Sequence, residues 1–137
     1  MSRSSRPELF RALALAAAFV AALIGIACSG SEPAPKPEHT YTVRGRLVAL
    51  PDPAKLDSSL QIQHEAIPDF VGARGDIGMS SMTMPFPPAK GLSLAGLAPG
   101  DPVEFTWEMS WKPTRLSRVT AIRALPKDTE LRFSPAK

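Results

Sequence analysis

The stretch Val103-Glu104-Phe105-Thr106-Trp107-Glu108-Met109-Ser110-Trp111 decides the fold class. Val103, Phe105, Trp107, Met109 and Trp111 fall on one face, and Glu104, Thr106, Glu108 and Ser110 on the other. Alternation sustained over that length is the period of a half-buried β-strand, whose successive side chains point to opposite faces. Outward from it the pattern recurs in shorter segments. Tyr41 to Ala49 alternates through Tyr41, Val43 and Leu47, with Gly45 marking a bulge or bend. Leu60, Ile62 and His64 alternate with Gln61 and Gln63, a third strand runs from Met82 to Phe86, and a last one covers Arg118 to Leu125. Pro51-Asp52-Pro53, a loop from Gly72 to Gly78 and the Ala98-Pro99-Gly100-Asp101 turn separate them, while Gly91 to Leu97 is expected to form a helical turn. Five short strands with turns about every ten residues predict an all-β domain, a small closed or half-closed barrel, over residues 40–126. The polar tail, 127–137, is expected to be loose.

The front of the chain carries a different signal. Ala12 to Ala27 is an uncharged apolar run preceded by Arg3, Arg6 and Arg11. A basic segment followed by an apolar run shorter than the ~20 residues of a spanning helix reads as a signal peptide, residues 1–27. Leu23-Ile24-Gly25-Ile26-Ala27-Cys28 is similar to the cleavage box of bacterial lipoproteins, which makes Cys28 the expected lipidation site. An ordinary secretory signal cut nearby, or an uncleaved anchor, is the alternative. Residues 28–39, with Pro33, Pro35 and Pro37, form an extended tether at ~3.1 Å per residue. The domain is therefore expected on the periplasmic face of a cell envelope, held by a lipid anchor or free in the periplasm.

Composition excludes several function classes. With one cysteine the chain builds no disulfide framework, zinc-cysteine cluster or iron–sulfur site, and Cys28 precedes the fold, which rules out a blue-copper centre. Arg3, Arg6 and Arg11 account for most of the positive balance, and the remaining 13 basic and 12 acidic residues nearly cancel, which argues against nucleic acid as a partner. His64-Glu65-Ala66-Ile67-Pro68 lacks the second histidine of a zincin helix, and Pro68 would interrupt that helix. No enzyme is expected.

The chemistry concentrates in Met79-Ser80-Ser81-Met82-Thr83-Met84-Pro85-Phe86. On a strand, Met82, Met84 and Phe86 share a face, as His64 does with Leu60 and Ile62. If the two strands pair, one imidazole and two thioethers converge, with Met79 placed to close over them. This is a soft ligand set suited to one Cu(I) or Ag(I) ion, and thioethers, unlike thiols, are not lost to disulfides in an oxidising compartment. The competing reading is that these methionines fill a core and the histidine is merely hydrogen-bonded. Trp107, Trp111 and Met109 are read as core, His39 as a solvated linker residue, and Glu65 as pointing away from His64.

His64-Glu65-Ala66-Ile67-Pro68 followed by Met82-Thr83-Met84-Pro85-Phe86 resembles the CusF-like periplasmic copper-binding proteins. The Tyr41-Thr42-Val43-Arg44-Gly45 strand and the stretch from Leu94 to Phe105 fit the same pattern, so the resemblance spans about Tyr41 to Leu125. It implies a five-stranded OB-like barrel binding one Cu(I) or Ag(I) through His64, Met82 and Met84. A tryptophan that caps the ion in that family is replaced here by Met79, which implies a His-Met₃ set. The resemblance also implies a monomeric metallochaperone or scavenger that delivers metal to a protein recipient, an efflux pump component or a copper-centre assembly factor. An OB-like tethered module for a protein or oligomeric ligand remains the alternative.

Overall fold

A computed structural model describes residues 33–134. The signal segment, Cys28 and the first part of the tether lie outside the described residues. Seven strands follow in chain order: β1 (His39–Ala49), β2 (Leu60–His64), β3 (Ile67–Val71), β4 (Ile77–Met79), β5 (Met82–Phe86), β6 (Pro102–Ser110) and β7 (Leu116–Ala124). The all-β class is as the alternating pattern predicts. Five strands form one antiparallel sheet in the order β5-β2-β1-β6-β7, and β3 and β4 pair separately as a hairpin.

Two strands more than expected arise where the sequence reads as loop. Ile67 pairs with Met79 and Val71 with Ile77. Between them Gly75 adopts φ 83°, left-handed backbone that a glycine enters without steric cost, and closes the turn. The hairpin is held down by Phe70, which is buried and stacks on Trp107 with centroids 5.5 Å apart and planes 2° from parallel. The Val71 N–H donates to the Tyr41 hydroxyl (3.0 Å), and the Trp111 Nε1–H donates to the Val71 carbonyl (2.8 Å).

The main sheet curls without closing into a continuous ladder. After β5 the chain meets β7 through Val119 N–H to the Pro87 carbonyl and Ala89 N–H to the Val119 carbonyl, both 2.8 Å. Pro85, Pro87 and Pro88 have no N–H to donate, so this edge cannot pair further. The barrel is half-closed. Leu92 N–H to Ala89 and Leu97 N–H to Leu94 make isolated turns rather than the expected helical turn, because Gly91 and Gly96 sit at positive φ and break the helical course.

The core is the inner face of the alternation. Tyr41, Val43, Leu47, Leu60, Ile62, Phe86, Val103, Phe105, Trp107, Met109 and Val119 are buried. Phe86 is its hub, packed edge-on against Phe105 (4.8 Å), Trp107 (5.1 Å) and His64 (5.7 Å). On the outer face Glu104 pairs with Arg123 and Glu108 with Arg118, each pair directly opposed across β6 and β7.

His39, expected in the linker, is the first residue of β1, opposite Met109 and stacked on Tyr41 at 6.0 Å. The end of the tether is pinned at Glu38, whose N–H donates to the Ser110 hydroxyl (2.8 Å) and whose carboxylate accepts from the Trp111 N–H (2.6 Å). That last bond holds the Glu38 carboxyl below its usual range. The stretch after β7, expected to be loose, also makes defined contacts. It turns at Pro126, whose carbonyl accepts from the Thr129 N–H (2.9 Å), and then reaches Glu65, where the Arg132 N–H donates to the carboxylate (2.7 Å).

Candidate metal centre

The register of β2 against β5 builds the candidate site. His64 stands directly opposite Met82, Ile62 opposite Met84 and Leu60 opposite Phe86. Directly opposed residues of an antiparallel pair project from the same face, so the imidazole and both thioethers rise from one side of the sheet. Burial declines along β5 from Phe86, fully buried, through half-buried Met84 to Met82, 49% exposed. The candidate ligands therefore sit at the edge of the core, where it meets solvent.

His64 is itself completely buried. Its Nδ1 lies 2.6 Å from the Glu65 carbonyl oxygen. That oxygen can only accept, so Nδ1 carries the proton. Nε2 is then left as a bare lone pair, buried, with no hydrogen-bond partner among the described residues. Burial also holds the imidazole pKa below its ordinary 6.5, against the opposing effect of the Glu65 carbonyl. A neutral ring with Nδ1–H tied to a carbonyl and Nε2 free is the state in which histidine ligates metal, the second-shell bond fixing both tautomer and ring orientation. Left unmatched, such a buried acceptor costs about 1–3 kcal/mol.

The backbone beneath His64 is supplied by Gly45, its direct partner on β1. A Cβ there would lie 2.5 Å from the Gln63 carbonyl oxygen and 2.9 Å from the His64 Cα, so only glycine allows the strands this approach. The bulge expected at Gly45 lies instead between Leu47 and Ala49. Glu65 turns away from His64 and takes a two-point contact from Arg44, with both N···O distances 3.0 Å.

Met79 arrives from the β3–β4 hairpin, opposite Ile67. With Met84, Phe70, Trp107, Met109 and Trp111 it lines an apolar groove of about 580 Å³. Met79 and Met84 thus share one cleft, and Met82 stands on the exposed rim across from His64. Trp107 and Met109 are buried, as their alternation predicts. Trp111 is only half-buried, with the Arg115 guanidinium 5.4 Å above its ring. Phe70 and Gly45 were invisible as site residues in the sequence. Among the described residues no group of three or more His, Cys, Asp or Glu side chains is placed to hold a metal.

A family model described as copper binding periplasmic protein CusF matches residues 41–123. The chain belongs to the CusF family. Comparison with curated proteins and with solved structures finds no match. The CusF match takes in His64, Met79, Met82 and Met84, and it stops short of the segment from 124 onward that reaches Glu65. The family is one of periplasmic copper-binding proteins, which carries the coarse biochemical class of the chain.

Proposed function

We propose that this CusF-family chain is a cell-envelope carrier of one monovalent soft metal ion, Cu(I) or Ag(I), held by His64, Met82, Met84 and Met79. The single observation that carries this reading is the buried Nε2 of His64, bare of partners, in a ring whose Nδ1 is already tied to a carbonyl, directly opposite Met82. A neutral imidazole with neutral thioethers matches the softness of a d¹⁰ monovalent ion and is a poor match for calcium, magnesium or zinc. Metal is cargo here, and the activity is binding and ligand exchange. Half-exposed Met82 gives an incoming thiolate or thioether a ligand to displace first. The recipient would be a protein, an efflux pump component or a copper-centre assembly factor, and lipidation of Cys28 would keep the domain near it on a Pro-rich tether.

The test is an anaerobic Cu(I) titration of the mature chain against a chromogenic Cu(I) chelator. One tight equivalent is expected, lost in Met82→Ile/Met84→Ile and weakened by Met79→Ile. A folded protein that fails to compete with the chelator would take these residues out of a metal site and leave a binding module for another ligand.

A further inference from the structure

We infer that residues 125–134, beyond the family match, form a strap whose bonds position the two sides of the proposed metal rim, making Glu65, Ser81 and the Arg132 N–H positioning groups for metal retention. This rests on the metal-site reading above. The strap leaves β7 at the end of the sheet where Leu125 N–H donates to the Pro102 carbonyl (2.8 Å), and it turns at Pro126–Thr129. It then touches the rim at two places, each one residue from a candidate ligand. Beside His64, the Arg132 N–H donates to Glu65 Oε1 (2.7 Å), the same oxygen that accepts from Arg44 Nη2 (3.0 Å). Beside Met82, the Ser81 N–H donates to the Ser134 carbonyl (3.3 Å).

Ser81 links the two contacts. Its hydroxyl donates to the His64 carbonyl at 2.7 Å, while its N–H is taken by the strap. Ser81 also lies in the short connection between Met79 at the end of β4 and Met82 at the start of β5. A displacement of this connection moves both thioethers relative to the imidazole. The strap thus ties the carboxyl end of β2 to the amino end of β5 from outside, at the sheet edge where ladder bonds stop. Ligand placement within about 0.5 Å governs how well a metal is held, so loss of supporting bonds of this kind should be read in metal release.

The experiment uses the full mature chain, loaded with Cu(I) anaerobically, with release to excess chelator followed by stopped flow. Arg132→Pro deletes the strap's N–H donor, and Arg132→Ala keeps it. Glu65→Ala deletes the acceptor, and Glu65→Gln keeps an oxygen in its place while removing the charge. Release about three- to fivefold faster is expected in Arg132→Pro, the size of one lost hydrogen bond, and at least as much in Glu65→Ala, which loses the two Arg44 bonds as well, with Arg132→Ala and Glu65→Gln within about twofold of the parent. Thermal midpoints of the metal-free proteins should stay close together, and amide exchange at Ser81 should speed up in Arg132→Pro. Equal release rates within each pair overturn the inference while leaving the metal site standing. A parent chain that binds no Cu(I) overturns the metal-site reading itself, and with it the strap's role in retention.

Discussion

At His64 two hydrogen-bonding positions have different fates, and the difference makes pH a test. Nδ1–H is tied to the Glu65 carbonyl and Nε2 is bare, in a ring whose burial disfavours the charged form. In the unfolded chain the imidazole takes a proton near its ordinary 6.5, whereas in the folded chain it does so only at lower pH. Stability of the metal-free protein is therefore full above that value, falls as pH drops through it, and levels off once the folded ring is protonated too. Cu(I) affinity should stay flat through pH 6.5 and fall only below it, where protons compete for Nε2. Chelator competition from pH 8 downward beside His64→Gln checks this, and parental affinity in His64→Gln at pH 8 would remove His64 from the ligand set. Gly45 makes a second residue-scale test. Gly45→Ala drives a Cβ into the Gln63 carbonyl and should cost about 1–3 kcal/mol in urea unfolding, with a lower Cu(I) affinity because the β2 backbone carrying His64 must shift. That Met82 shares a face with Met84, and His64 one with Leu60 and Ile62, was legible in the sequence, since period-two alternation alone puts those side chains on common faces. The role of Gly45 was not, because a close approach between strands exists only once the strands are paired.

At the scale of elements, the β3–β4 hairpin is the part of the site that the sequence concealed. Residues 72–78 read as a glycine-rich loop, and a loop gives no placement for Met79. The strands on either side are short and carry Pro68 and Asp69, so local propensity is weak. What fixes the hairpin is non-local: Phe70 stacked on Trp107, and the Val71 backbone bonded on one side to Tyr41 and on the other to Trp111. Phe70→Ala should cost about 3 kcal/mol and weaken Cu(I) binding through displacement of Met79. Trp111→Phe removes the indole N–H to Val71 together with part of the ring under Arg115, and should cost at least about 1 kcal/mol. Urea denaturation of both variants beside Cu(I) titrations separates the effects. If Phe70→Ala lost stability but kept parental affinity, Met79 would not depend on the hairpin, or would not be a ligand.

At the scale of the whole molecule, the proposed metal site and the fold meet along the burial gradient of β5, which runs from Phe86 in the core to Met82 at the rim. A small domain of this kind has little stability to spare, and a ligand that binds only the folded form adds to it by mass action. At a free Cu(I) concentration of 100 Kd the gain is about 2.7 kcal/mol, and the thermal midpoint should rise accordingly. Met82→Ile/Met84→Ile should show no such rise, and a rise equal to the parent's would place the metal elsewhere. The sequence by itself determined the all-β class and the strand faces, and it singled out one imidazole and three thioethers as candidate soft ligands, because side-chain alternation and ligand softness are local properties of residues. Only the tertiary structure decided that β2 pairs with β5 in the register that sets His64 opposite Met82. It also decided that the barrel stays half-closed beside a proline-rich edge, and that the terminal segment returns to Glu65. Those features rest on contacts between residues far apart in the chain, whose free energy is gained only after the whole sheet has closed the loops between them.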